Sequence, residues 1–171
     1  QLLLNPVYRE RYESFGVFLS DAETRTDTLI DKTEAALDDV SAELDRILES
    51  ANRLPDGRRV FRCADGRVID ENGKRIDPAD AEAVVWKSGA PTGEEYLNAK
   101  TRKDELEIAL LELQYLRNGL GEVRNRYEDP DDPLTIEEME QYQQSLNKHL
   151  VAMEKSSGWI APPEIPDSTL P

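Results

Sequence analysis

The side chains able to do chemistry are few and scattered along this 171-residue chain. His149 is the only histidine and Cys63 the only cysteine, so no disulfide can close within the chain and no cysteine cluster can hold zinc. Nucleophilic catalysis needs an activated nucleophile with a base in reach. His149 falls on the apolar side of a helical segment, where packing accounts for it. Cys63 follows Arg62 in a β-prone run, and a guanidinium beside a thiol would lower its pKa; a structural cysteine is nevertheless the expected reading. Carboxylates are abundant, but Glu128, Asp129, Asp131 and Asp132 are interleaved with Pro130 and Pro133, as in an acidic turn. Asp70-Glu71-Asn72-Gly73 begins like a calcium loop, without the alternating ligands or the later bidentate Glu. Asp38-Asp39 and Glu137-Glu138 read as solvated helical faces. No glycine-rich phosphate loop is present. The expectation is a chain with no catalytic residue, no metal ligand and no cofactor site, and therefore no enzyme.

Composition narrows the class of partner. Apolar residues make up 38% and charged residues 33%, a balance that suits helices with much of their surface in water. The formal net charge is −15, from 36 acidic and 21 basic side chains. Phosphate backbones would be repelled by most of this surface, so no nucleic acid is expected as a partner. The charge is uneven. Residues 19–54 carry ten acidic and four basic side chains and residues 129–171 carry nine and two, whereas 56–77 has five acidic and six basic. No run of about 18 apolar residues exists, so no membrane span is expected. Gln1-Leu2-Leu3-Leu4 is too short for a signal peptide and the chain starts without Met, which suggests a processed or trimmed product. The isolated thiol favours a cytoplasmic setting.

The elements that would position these residues are mostly helical. Leu106, Ala109, Leu113, Leu116, Leu120, Val123 and Tyr127 alternate at steps of three and four, the spacing of one helix laid along another. Thr26, Ile30, Thr33, Leu37, Val40, Leu44, Ile47, Ala51 and Leu54 keep the same phase. Asn5-Pro6 starts the first helix, as N-cap and first helical residue. Gly16 and a possible new start at Ser20 leave its continuity open, although the phase favours one helix to about Arg53. Leu54-Pro55-Asp56-Gly57 stops it. A two- or three-stranded meander is expected over 58–76, with Asn72-Gly73 as a hairpin turn and Lys74-Arg75-Ile76 as a short third strand. A short helix from Pro78 to about Val85 follows. Thr92 with Glu95 and Thr135 with Glu138 form capping boxes that open the second and third long helices. Met139, Tyr142, Leu146, His149 or Leu150, and Met153 line one face of the third. The tail from Trp159 contains Pro162, Pro163, Pro166 and Pro171 and reads as extended.

These elements predict a mainly α fold. A long antiparallel helical hairpin, coiled-coil-like, spans residues 1–55 and 92–155, and a β-meander with a short helix is inserted at 56–91. The third helix packs back, and 156–171 is a proline-rich tail. The first seam is expected to set the 26–54 heptads, Leu37, Val40, Leu44 and Ile47 among them, against the main row of the middle helix with its Leu106, Leu113, Leu116 and Leu120. A second row on the middle helix, Ile108, Leu111 and Tyr115, is expected to receive the third helix, which would make Leu111→Ala nearly as costly as Leu113→Ala. The expected function is a non-catalytic structural or adaptor protein of the kind found in bacterial or phage assemblies. It would bind protein partners, as a homo- or hetero-oligomer, with the meander as a recognition tip carrying Phe61, Arg62, Arg67, Ile69, Ile76 and Trp86. The alternative is an acidic inhibitor or nucleic-acid mimic that occupies a basic groove on its target.

Overall fold

The computed structural model describes residues 2–157. After a 3-10 turn at Leu2–Leu4, one unbroken helix α1 runs Pro6–Ser50. Asn5 caps it by accepting the Val7 amide at 2.9 Å, and Pro6 supplies a preset φ where no amide is needed. Strands β1 (Asn52–Arg53), β2 (Arg59–Arg62) and β3 (Val68–Asp70) form an antiparallel sheet in the order β1-β2-β3. A one-turn helix α2 (Pro78–Ala81) precedes the long α3 (Gly93–Glu128), and α4 spans Ile136–Ser156. The fold is thus mainly helical: α1 and α3 form a long antiparallel hairpin with a small sheet inserted between them. The proline-rich tail lies outside the described residues beyond Ser157.

Of the described residues, 2–36 and 108–157 form one compact unit and 37–107 another, with α1 and α3 contributing to both. In the first unit, Phe15, Leu19, Ala22 and Leu29 of α1 meet Leu113, Leu116, Leu120 and Val123 of α3, and Met139, Leu150 and Met153 of α4 close the core. Two threonines interrupt the apolar phase of α1 and are wholly buried. Each hydroxyl donates to the carbonyl one turn back, Thr26 to Ala22 at 2.7 Å and Thr33 to Leu29 at 2.6 Å, so neither is left unpaired. Arg124 and Arg117 of α3 clamp Glu23 and Asp27 of α1, while Arg25 pairs with Glu154 of α4.

The expected docking of α4 on Ile108, Leu111 and Tyr115 is not what the chain does. These three are 58%, 67% and 76% exposed. The apolar face of α4 enters the same cluster as the main seam instead. There Met139, Leu150 and Met153 leave water against side chains of both α1 and α3. The capping box at its start is as expected: Thr135 accepts the Glu138 amide and the Glu138 carboxylate accepts that of Thr135.

In the second unit the sheet is covered on both faces. Register places Phe61 opposite Ile69, and Phe61 stacks on Tyr96 of α3 with ring centroids 4.2 Å apart. On the other face Val60 and Val68 pack with Leu54, Ile76 and Val84, over which Ala81 and Trp86 close. An isolated meander of this size would not hold. Turn chemistry repeats: Asp56 and Asp65 each accept the amide and the guanidinium of the arginine two residues on, across Gly57 and Gly66 at φ 92° and 91°. The sequence carries Asp-Gly-Arg at both 56–58 and 65–67, and each copy forms this turn.

Three boundaries differ from expectation. α1 stops at Ser50 and not near Arg53, because Asn52 and Arg53 pair with Val60 and Arg59 as the sheet's third strand. The predicted third strand at 74–76 is reduced to a single bridge between Ile69 and Arg75. The short helix ends at Ala81 rather than Val85, after which Val84 turns inward to cover the sheet.

Candidate interaction surfaces

The tip residues separate into an interior set and a surface set. Phe61, Ile69 and Ile76 are buried in the second unit. They hold the sheet to its neighbours, and Ile76 also forms part of the wall of the groove beside Arg62 and Trp86. Arg62 and Arg67 are exposed and Trp86 is half-buried. The Arg62 guanidinium lies 4.9 Å from the Trp86 ring centroid, a cation–π contact. Arg67 is held by Asp65 at 2.7 Å. Arg62 and Trp86 stand between a groove of about 410 Å³, lined also by Arg67, Arg75 and Glu82, and one of about 320 Å³ beside Lys87 and Pro91.

Cys63 is buried against the start of α3, where a Cβ on Gly93 would fall 2.4 Å from its Sγ. Burial and the neighbouring Glu94 carboxylate push its thiol pKa up, opposite to the lowering that an adjacent arginine would give. Arg62 points to Trp86 instead. The thiol is therefore protonated near neutrality, and its position is that of a packed core residue. Seam residues Val40, Ile47, Leu106, Leu113, Leu116 and Leu120 are buried, and Leu37 and Leu44 are half-buried.

His149 is half-buried on α4. The acidic turn is tied up locally: Asp129 accepts the Asp131 amide at 2.9 Å, and Asp132 sits 3.2 Å from Arg126. Asp70 likewise accepts the amides of Asn72 and Lys74. Among the described residues, no three His, Cys, Asp or Glu side chains converge as a metal site, and no helix is long and apolar enough to cross a membrane.

Sequence reasoning missed a tyrosine cluster in the first unit. Tyr12 and Tyr127 stack at 4.2 Å, and each hydroxyl donates to the other's backbone carbonyl at 3.0 Å. Tyr8 donates to the Leu134 carbonyl at 2.6 Å. Desolvation pushes the Tyr127 phenol up to about 12, with Tyr12 adding to the effect. Gly16 makes the stack possible, since a Cβ there would lie 2.3 Å from the Tyr127 hydroxyl. The available signal was a glycine one turn from Tyr12 inside an otherwise regular helix, which marks close approach.

Fold and surfaces together define a class: a mainly helical chain with a small sheet set into a helical hairpin and an apolar row left open on α3. The chain matches no protein-family model, no curated protein and no solved structure.

Proposed function

We propose that this protein is a non-catalytic adaptor that joins protein partners through its helices. One observation carries the reading: Ile108, Leu111 and Tyr115 recur at three and four on one face of α3, each more than half exposed. Isolated exposed apolar residues are ordinary, but a contiguous row marks a binding face. The tip groove around Arg62 and Trp86 is a second contact surface, with a guanidinium and an aromatic as anchors. The acidic-mimic reading has less support. A mimic needs its carboxylates free, and in the first unit Asp21, Glu23, Asp27, Glu138 and Glu154 already face arginines.

The test is a photo-crosslinking residue placed at 115 in the source cell, with the exposed Asn147 as control position. A discrete product from position 115 and none from 147 is the expected result. Equal or absent products at the two positions would remove the adaptor reading.

A further inference from the structure

The apolar row has a charge frame that specifies what fits it. α3 carries three arginines beyond residue 107, and all three are spent inside the first unit. Arg117 pairs with Asp27 at 2.8 Å and with Glu23, Arg124 with Glu23 and Glu128, and Arg126 with Asp132 and Glu138. The exposed carboxylates remain. Glu112 is one turn from Ile108 on the same helix, and Glu122 continues the row through Asn118 at the next three-and-four steps. Neither has an ion-pair partner among the described residues. The face is therefore two turns of large apolar side chains flanked by uncompensated negative charge.

We infer that this row takes a basic amphipathic helix of another protein, with two or three large apolar side chains on one stripe and Lys or Arg beside it. Resting on the adaptor reading, this names the partner's chemistry. The apolar stripe covers Ile108, Leu111 and Tyr115 in the helix-to-helix manner, and the cations meet Glu112 and Glu122. Tyr115, the most exposed of the three at 76%, offers its ring face to an Arg or Lys at the margin. A second copy of this chain fits poorly. Residues 1–36 and 108–171 carry 19 acidic and 9 basic side chains, so self-docking sets carboxylate against carboxylate. Like charges across an interface suppress a wrong partner.

The experiment is fluorescence anisotropy with a labelled 18-residue helical peptide that carries Leu on one stripe and Lys elsewhere. The same peptide with Glu for Lys is the comparison. The Lys peptide should bind at low salt and the Glu peptide should be weaker by about tenfold or more. The triple substitution Ile108→Ser, Leu111→Ser, Tyr115→Ser should weaken the Lys peptide about tenfold while leaving the thermal melt in place. Glu112→Gln with Glu122→Gln should reduce affinity severalfold and flatten its salt dependence. If the serine variant melts early, the glutamine pair alone carries the test. Equal binding of both peptides, or unchanged Lys-peptide affinity in the serine or glutamine variant, overturns the inference. So does a wild-type dimer in light scattering that the serine substitutions convert to monomer, because the occupant is then a second copy. A position-115 crosslink together with charge-blind peptide binding would leave the adaptor reading standing and remove only the basic-helix inference.

Discussion

Gly16→Ala separates two physical accounts of one position. By intrinsic propensity alone, replacing a mid-helix glycine with alanine stabilises by about 1 kcal/mol. The structure opposes this. The new Cβ would stand 2.3 Å from the Tyr127 hydroxyl oxygen and 2.9 Å from its Cζ. The ring cannot yield cheaply, because it is stacked on Tyr12 at 4.2 Å and its hydroxyl donates to the Tyr12 carbonyl. Overpacking of this kind costs about 1 to 3 kcal/mol. Displacing the ring forfeits about 1 kcal/mol for the hydrogen bond and about 0.5 to 1.5 kcal/mol for the stack. Set against the propensity gain, the net is a loss of about 1.5 to 4.5 kcal/mol, or a Tm lower by about 3 to 18 °C for a chain of this length. Chemical denaturation followed by circular dichroism measures it. Repeating the substitution in a Tyr127→Phe background removes the closest clash but keeps the Cζ contact, so the cost should shrink without vanishing. A gain in stability for Gly16→Ala, or an equal cost in both backgrounds, would refute the reasoning.

Four further outcomes are expected. Leu113→Ala should cost about 2 to 5 kcal/mol, since Leu113 is 1% exposed and deletion leaves a cavity, whereas Leu111→Ala at 67% exposure should cost under about 0.5 kcal/mol in a denaturant melt. Stability should fall with alkali: Tyr127 moves from 10.0 to about 12 on folding, so the native state holds its proton more tightly. Its stabilisation is complete below pH 10 and is lost as pH rises to about 12; Tyr127→Phe should flatten that part of the pH–stability curve. Cys63 should react with an alkylating reagent many times more slowly in native protein than in denaturant, and Gly93→Ala should destabilise by pressing on its sulfur. Thr135→Ala removes one half of the α4 capping box and should cost about 1 kcal/mol by equilibrium unfolding.

Periodicity made the long helices legible, because each heptad phase repeats over many turns and the caps at Asn5, Thr92 and Thr135 are local chemistry. It could also locate the meander, since Asp-Gly and Asn-Gly turns act within four residues. What it could not settle was competition between faces. Two apolar rows on α3 looked alike in sequence; only the one continuous with Leu19, Leu29 and Phe15 was filled, and α4 joined that core. The tip was misjudged for a related reason. Alternation in β2 marks Val60 and Phe61 as facing opposite ways, but it does not say that α3 covers one side and residues 76–86 the other. Arg59 shows the remaining gap. α1 has no basic residue in its last turn, and the missing partner for its terminal carbonyls arrives from β2, where Arg59 Nε donates to the Leu48 carbonyl at 2.9 Å.

The bridges that border the small sheet bear on how the protein behaves when crowded. Arg62 of β2 pairs with Thr92 beyond the end of the two-residue β1, and the outer edge of β3 is met by Arg75 and by the Ile76 amide, which donates to the Val68 carbonyl at 2.8 Å. Few backbone donors and acceptors along the outer edge of β3 are left to template another strand. The covered β3 edge offers little that could seed pairing with a neighbouring molecule's strand at high concentration.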